Sequence, residues 1–383
     1  MSAIVPFLPL FIRELGVSDY NEVAAYSGMC FSAPFLISFF VTPFWGILGD
    51  KYGKKLMTVR AIFGLAVALV LIGISQNVYQ LLVFRILQGL LSGLYPASIA
   101  LAAADSPPEK TAQTIGAIQS SNISGNIIGP LIGGTLSDLL GFRWVFIIVG
   151  ILSAVMGVLI VSFVKNDKPK QTKDIPKYLD NWKLVLHNKL LLLFGLTIVL
   201  ASFGDSFIRP IFVLFVESLG VNKSSLSTIS GLLLSIQGFS AALSAGLLSR
   251  VLVKRHISKV LAASFIIVAA ANLAQGYLSS LMLVALARFV IGLAYGLVLP
   301  ILYSLMIGDV DKSKNGGIVG ISSSFQTLGN FVGPVSAGFL LSVAGFRGSF
   351  QIAASIFVLL SFIFILKNTK KAVNVQPHSE MVE

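Results

Sequence analysis

Eleven long apolar runs follow one another along the chain, separated by short polar stretches. They lie near residues 24–48, 56–76, 79–104, 111–137, 142–164, 190–218, 225–252, 257–279, 281–307, 314–342 and 346–366. A helix needs about 20 apolar residues to cross the hydrocarbon core of a bilayer, so the pattern predicts an all-α, multi-pass membrane protein. A twelfth apolar run, SAIVPFLPLFI within residues 1–12, is too short to cross alone. It does not read as a secretory signal, having neither a basic n-region nor a cleavage site. Composition agrees with this picture. Of 383 residues, 55% are hydrophobic and only 11% charged, and the mean hydropathy is +0.88. A soluble enzyme carries about 25% charged residues.

The formal net charge of +12 raises the question of a nucleic-acid partner. The placement of the charge answers it. Of 28 Lys and Arg, 21 fall in alternate polar stretches: 49–60, 105–111, 165–189, 249–259, 309–314 and 367–371. Arg13, Arg143, Lys223 and Arg347 fall in the other set, and Arg85, Arg209 and Arg288 lie inside apolar runs. Such asymmetry orients a membrane protein with its basic loops in the cytoplasm. No basic surface patch for nucleic acid is expected. Cys30 is the only cysteine, so no intramolecular disulfide can form. His187, His256 and His378 lie far apart without metal-ligand spacing, so no metal site is expected.

The longest polar segment, 165–189, divides the chain into halves that match at an offset near 204. PFLPLFIRELGV (6–17) aligns with PIFVLFVESLGV (210–221), with 6 of 12 residues identical. Gly116, Gly125, Gly129-Pro130 and Gly141-Phe142-Arg143 recur as Gly320, Gly329, Gly333-Pro334 and Gly345-Phe346-Arg347. Arg85, Gly89 and Gly93 recur as Arg288, Gly292 and Gly296, one residue out of phase. Six spans per half in matching orientation predict parallel repeats about an axis along the membrane normal, with a site between them. The expected organisation is a six-helix bundle over 1–164, a cytoplasmic linker over 165–189, a second six-helix bundle over 190–366 and a cytoplasmic tail over 367–383. Pro210 follows about 20 apolar residues whereas Pro6 follows five. The first helix is therefore expected to be truncated, through a late start codon or a deletion. In the full-length form both termini are expected to be cytoplasmic.

Several motifs carry chemistry. In GILGDKYGKK (46–55), Gly46 and Gly53 allow a tight turn between helix ends. Asp50 can face a helix N-terminus, and Lys54 and Lys55 can face anionic lipid or Asp105. Two readings stand: a cytoplasmic latch, or a basic turn that only sets topology. The second copy, GLLSRVLVKRH, has Arg250 at the position of Asp50. In the next run Arg85, Gln88, Ser92, Tyr95 and Ile99 share one helix face. An arginine at that depth must face the bundle interior or water. SFGDSFIRP places Asp205 and Arg209 at i and i+4, acid first, which favours pairing within a helix. A carboxylate inside a membrane helix is a functional candidate, and a mobile arginine beside it can tie its protonation to conformation. A static structural pair is the other reading. Glu217 is expected to be solvated near the outer interface.

GAIQSSNISGNIIGPLIGG (116–134) carries five glycines and a proline within an apolar stretch. In a soluble helix each Gly costs about 1 kcal/mol against Ala, and Pro about 3. In lipid, glycines let helix backbones approach closely. Gly125, Gly129 and Gly133 step by four along one face, Gly116 and Gly134 complete the helix-packing motif, and Pro130 bends the helix. The pattern predicts a kinked helix pressed against a neighbour.

Together these residues resemble the major facilitator superfamily. More narrowly they resemble its twelve-helix drug:proton antiporters, the bacterial multidrug efflux proteins linked to quinolone and fosfomycin resistance. GILGDKYGKK resembles the loop between the family's second and third helices. RILQG (85–89) resembles its fourth-helix arginine motif, and GAIQSSNISGNIIGPLIGG its fifth-helix antiporter motif. The resemblance implies Arg85 as a proton-coupling arginine, Asp50 and Gly53 as a cytoplasmic latch, and Gly125, Gly129 and Pro130 as a helix-packing seal. Asp205 and Arg209 fall outside these signatures, and their proton-coupling role rests on the residues alone.

The expected function is proton-driven export of hydrophobic or amphipathic drugs across the bacterial plasma membrane. Tyr95, Phe203, Phe207, Phe212, Tyr295 and Tyr303 would line the cavity with aromatic surface that demands no single hydrogen-bond geometry. Gln88, Ser92, Gln119, Asn122, Asn126, Gln237, Gln326 and Asn330 leave open a transporter of one metabolite, such as a sugar, nucleoside or siderophore. A non-transporting truncated form is a third reading. No nucleophile–base cluster or G-x-x-x-x-G-K-[ST] phosphate loop appears, so neither an enzyme nor direct use of ATP is expected. The expected partners are small amphipathic substrates, protons and anionic lipid at the cytoplasmic face, with no cofactor; a monomer is expected.

Overall fold

The computed structural model describes residues 2–106, 108–165, 178–248, 257–308, 310 and 315–366. Among these every regular element is helical. A 3-10 turn at Ser2–Ile4 leads into α1 (Leu8–Glu14), α2 (Tyr20–Tyr52), α3 (Lys54–Gly73), α4 (Val78–Leu90), α5 (Leu94–Asp105), α6 (Pro108–Leu140) and α7 (Phe142–Phe163). The second half comprises α8 (Tyr178–His187), α9 (Lys189–Phe207), α10 (Arg209–Ser218), α11 (Leu226–Leu243), α12 (Ile257–Gln275), α13 (Leu281–Tyr295), α14 (Val298–Gly308) and α15 (Asn315–Leu366).

Local sequence sets these boundaries. Asp19 accepts from the backbone N–H of Asn21 and Glu22, both at 2.9 Å, and starts α2. Asn188 caps α9 in the same way, and Asn77 caps α4. These side chains satisfy N–H groups that the first helical turn leaves unpaired. Some crossings are made of two helices. α9 gives way to α10 at Ile208, with Pro210 in the first turn of α10; α4 gives way to α5 around Gly93, at φ 106°.

Nine helical stretches are long and apolar enough to cross a membrane among the described residues. One of them runs through Gly345, at φ 63° and ψ −174°, which divides α15 into two antiparallel spans. Gly141 makes the equivalent break between α6 and α7, at φ 89° and ψ 157°. α6 is too polar to be counted by apolarity alone, yet it runs unbroken through 33 residues. The expected span near 225–252 is described only to residue 248, and the tail 367–383 and residues 166–177 lie outside the described residues. The remainder of the expected linker is ordered: α8 seats Val185 in a core and Trp182 against Phe325, with ring centroids 5.6 Å apart.

The repeat recurs in three dimensions. Gly16 and Gly220, at equivalent positions, both have positive φ, as do Gly141 and Gly345. The Ser2 hydroxyl donates to the Gly125 carbonyl at 2.9 Å, and its equivalent Ser206 donates to the Gly329 carbonyl at 3.2 Å. Gly141 and Gly345 have open space where a Cβ would stand, so only the backbone conformation selects glycine there. Gly141→Ala and Gly345→Ala are each expected to cost about 1–3 kcal/mol, read as a lower thermal midpoint of the detergent-solubilised protein.

Two apolar cores hold the molecule. One joins the halves: Phe7, Phe11 and Phe146 belong to the same buried cluster as Phe212, Phe215 and Phe350. The other lies within the second half, around Phe194, Phe265, Phe325 and Phe357. The shared core sits at the end of the bundle away from the basic turn at Gly53, so the two bundles are joined there.

Candidate functional site

A polar cluster within the membrane spans lies in the second half, where α9 meets α10. Arg209 Nη2 stands 2.5 Å from Asp205 Oδ2, one helical turn apart. Gln237 of α11 donates through Nε2 to Asp205 Oδ1 at 3.1 Å and accepts at Oε1 from Arg288 Nη1 of α13 at 2.8 Å. The guanidinium of Arg288 lies 3.9 Å over the ring of Phe212. Arg288 is buried, and its Nε and Nη2 have no hydrogen-bond partner. Asp205, Gln237, Asn272, Arg288 and Tyr295 border a cavity of about 10 Å³, room for roughly one water. The Asp205 side chain is 12% exposed and that of Arg209 39%. The acid is thus held inside while its arginine reaches accessible space. Among the described residues, the other carboxylates sit within about a turn of the end of a crossing or outside it, whereas Asp205 lies well inside the crossing Lys189–Ser218, so Asp205 is the acid deep in the membrane.

The first half holds an arginine without an acid. Arg85 is buried and donates through Nη1 to Gln88 Oε1 at 2.9 Å; its Nε and the Gln88 amide nitrogen are unpartnered. Gln88 therefore belongs to the interior and not to a cavity wall, because it satisfies the buried guanidinium beside it. Ser92 pairs with Ser38 through their hydroxyls, and Tyr95 is exposed.

Phe207 and Phe212, expected in the cavity wall, are fully packed in the shared core. Burial there gains each ring more apolar contact than a solvated wall would. Phe203 is partly buried with its ring 5.6 Å from that of Phe207. The Tyr295 hydroxyl donates to the Ala201 carbonyl at 3.2 Å, and the Tyr303 hydroxyl to Gln326 Oε1 at 2.8 Å. Gln119, Asn122 and Asn126 are exposed on α6, with the Asn126 amide donating to Asn122 at 3.1 Å, and Asn330 is half-buried on α15.

Two pseudo-equivalent helix crossings join the halves. A Cβ on Gly134 of α6 would collide with the Ser227 carbonyl of α11, and one on Gly231 with the Pro130 carbonyl. In the other crossing, a Cβ on Gly338 of α15 would meet the Ala24 carbonyl of α2, and one on Gly28 the Pro334 carbonyl. Ser32 also donates to the Phe331 carbonyl at 2.7 Å. Gly129 and Gly133 face Ser2 and Ala3 of their own half. Gly116 and Gly125 have nothing within 4 Å of a built Cβ. The glycine stretch therefore divides between an internal contact, the seam between halves and two open positions. At Gly329, the counterpart of Gly125, Val199, Ser202 and Phe203 fill the space.

At the loop after α2, Gly53 turns the chain at φ 107°, Asp50 is exposed and Gly46 has open space around it. Lys54 opens α3, and Lys55 donates to the Val161 carbonyl at 3.0 Å. Asp105 ends α5, and its side chain lies outside the described residues. Sequence reasoning missed Arg60, which stacks 3.6 Å over Trp45 and donates to the Ser92 carbonyl at 2.9 Å. It also missed Glu217, which is ion-paired to Arg13 at 2.7 Å and not simply solvated. Opposite charges at equivalent repeat positions were a readable signal for that pair.

Two packed helical repeats around a shared seam, with a buried acid–arginine cluster, define a polytopic membrane transporter. The chain belongs to the Major Facilitator Superfamily, whose family model matches residues 1–200 and 194–381. It is 32% identical over 364 residues to "Multidrug resistance protein MdtG" of Salmonella arizonae, covering 95% of this chain and 90% of that protein. MdtG of Citrobacter koseri is also 32% identical over 364 residues, covering 95% and 89%. Among solved structures, a bacterial homologue of the human lysosomal transporter Spinster, inward-facing and occupied, matches with TM-score 0.78 at 15% identity, covering 95% of this chain and 92% of that one. The nucleoside transporter NupG matches with TM-score 0.78 at 16% identity, covering 95% of each chain. The protein is a multi-pass membrane transporter of small molecules, not an enzyme.

Proposed function

We propose that the protein exports hydrophobic or amphipathic drugs across the bacterial plasma membrane by alternating access, driven by protons moving inward. The observation that carries this reading is Asp205, held at mid-membrane between Arg209 and the Gln237–Arg288 pair. A carboxylate there exchanges a proton as its arginine partners approach or withdraw, and the exposed Arg209 links that exchange to the central space. Arg85, the first-half counterpart of Arg288, is the coupling arginine of that half and holds Gln88 in place. Tyr95, Phe203, Tyr295, Tyr303, Gln326 and Asn330, with the exposed row Gln119, Asn122 and Asn126, provide an amphipathic lining. The multidrug relatives support the substrate class. The basic loops face the cytoplasm and its anionic lipid. The two bundles, 1–164 and 190–366, work as a monomer. The loop Gly46–Lys55 with Asp105 closes the cytoplasmic side in the opposite state.

The exposed amide row also favours a second reading, a carrier of one polar metabolite. Efflux of a lipophilic fluorescent dye from energised cells, with and without a protonophore, separates the two. Export of chemically diverse dyes that stops with the protonophore supports the first reading. Export confined to one polar solute supports the second.

A further inference from the structure

We propose that Arg13, Glu217 and Asp138 are the outer gate of the transport cycle, holding the external side shut until the halves swing apart. The inference rests on the alternating-access reading above and adds the residues that close one side. Arg13 of α1 donates through Nη1 to both carboxylate oxygens of Glu217 in α10, at 2.8 and 2.7 Å. The two residues are 204 positions apart, which is the repeat offset. Equivalent positions of two repeats touch only beside the axis that relates them, so this pair straddles the pseudo-twofold axis. It does so at the end where the shared core joins the halves. A rocking motion about the midplane separates contacts at the ends of that axis furthest.

The pair is embedded. Its side chains are 28% and 20% exposed. Arg13 also lies 5.5 Å from the ring centroid of Tyr20, which packs edge-on against Phe346 of the other half. Glu14, the next residue, pairs with Arg143 at 2.9 Å, and Arg143 donates to the carbonyls of Gly73 and Ser75. α1 is thereby fixed to its own bundle, so force on the Arg13–Glu217 contact passes to the whole half.

Asp138 supplies a second tie between the halves. From the end of α6 it accepts from the backbone N–H groups of Ser227 and Thr228, at 3.3 and 2.7 Å, and from the Thr228 hydroxyl at 2.7 Å. Those N–H groups open α11 of the other half, and a carboxylate there is favoured by the helix dipole. Opening the seam removes this cap and exposes the acid together. Neither tie is part of the Asp205 cluster, so closing the gate and carrying the proton are separate tasks.

The test is an inter-half distance. Spin labels at Ser18→Cys and Ser224→Cys, both exposed, in a Cys30→Ala background report the gate by pulsed dipolar spectroscopy in proteoliposomes. The unaltered gate gives mainly the short distance, with a longer one appearing when a pH gradient and a transported dye are supplied. Arg13→Glu, which faces Glu217 with like charge, raises the long-to-short ratio by about tenfold; the exchange Arg13→Glu/Glu217→Arg restores it. Asp138→Ala shifts the ratio in the same direction. Should Arg13→Glu not fold, Glu217→Gln carries the test with a smaller shift of the same sign. An unchanged ratio in these variants, or an exchange that fails to restore it, overturns the gate while leaving proton-driven efflux standing. A wild-type distance that never lengthens overturns alternating access itself, and the gate with it.

Discussion

Asp205→Asn is expected to reduce proton-driven efflux to the level of cells lacking the transporter, while the protein remains folded and inserted. Asp205 receives hydrogen bonds or charge from Arg209 at 2.5 Å and Gln237 at 3.1 Å, and Gln237 in turn accepts from Arg288 at 2.8 Å. Asn presents an amide N–H₂ where one of those donors needs an acceptor. It also removes the negative charge between two guanidinium groups and cannot exchange a proton. The loss of one acceptor costs about 1–3 kcal/mol of stability, an amount a membrane protein with two apolar cores tolerates. Asp205→Glu, which keeps the acid, is expected to retain coupling at reduced rate. Substrate-induced proton release from purified protein measures this directly. Release that persists undiminished in Asp205→Asn would place the proton on another group and remove the basis of the coupling proposal.

The second large effect is steric. Gly134→Leu is expected to stop transport at a step where no charge changes. Its Cβ alone would stand inside van der Waals distance of the Ser227 carbonyl across the seam. A backbone atom cannot step aside as a long side chain can. Overpacking typically costs about 1–3 kcal/mol, and here the cost falls only on the state in which α6 and α11 touch. Each 1.4 kcal/mol moves that equilibrium about tenfold. Gly116→Leu, by contrast, meets open space and is expected to transport at close to the wild-type rate. Dye flux in proteoliposomes compares the two. Equal flux would show that the α6–α11 crossing does not close during transport.

Much of the molecule was legible in one dimension because lipid imposes one-dimensional rules. A span must be apolar and long, a basic loop must stay on one side, and a turn at positive φ must be glycine. Hence the spans, the offset near 204 and the recurrence of Gly141-Phe142-Arg143 as Gly345-Phe346-Arg347 could be read without coordinates. The Asp205–Arg209 pair was legible too, since i and i+4 face each other on any helix. The aromatic lining was read less well. Phe207 and Phe212 pack in the shared core, and an aromatic stripe looks the same in sequence whether it faces a chamber or a neighbouring helix.

Periodicity, charge placement and glycine spacing thus determined the class, the repeat and the local helix pairs, because each follows from chain-neighbour geometry. Tertiary structure alone decided which helix meets which. It brought Gln237 and Arg288 to Asp205 from two other helices and set Gly134 against Ser227. Those contacts depend on how two bundles lean on each other in one state. That lean is set by the balance of many weak cross-half contacts, to which residues distant along the chain contribute together.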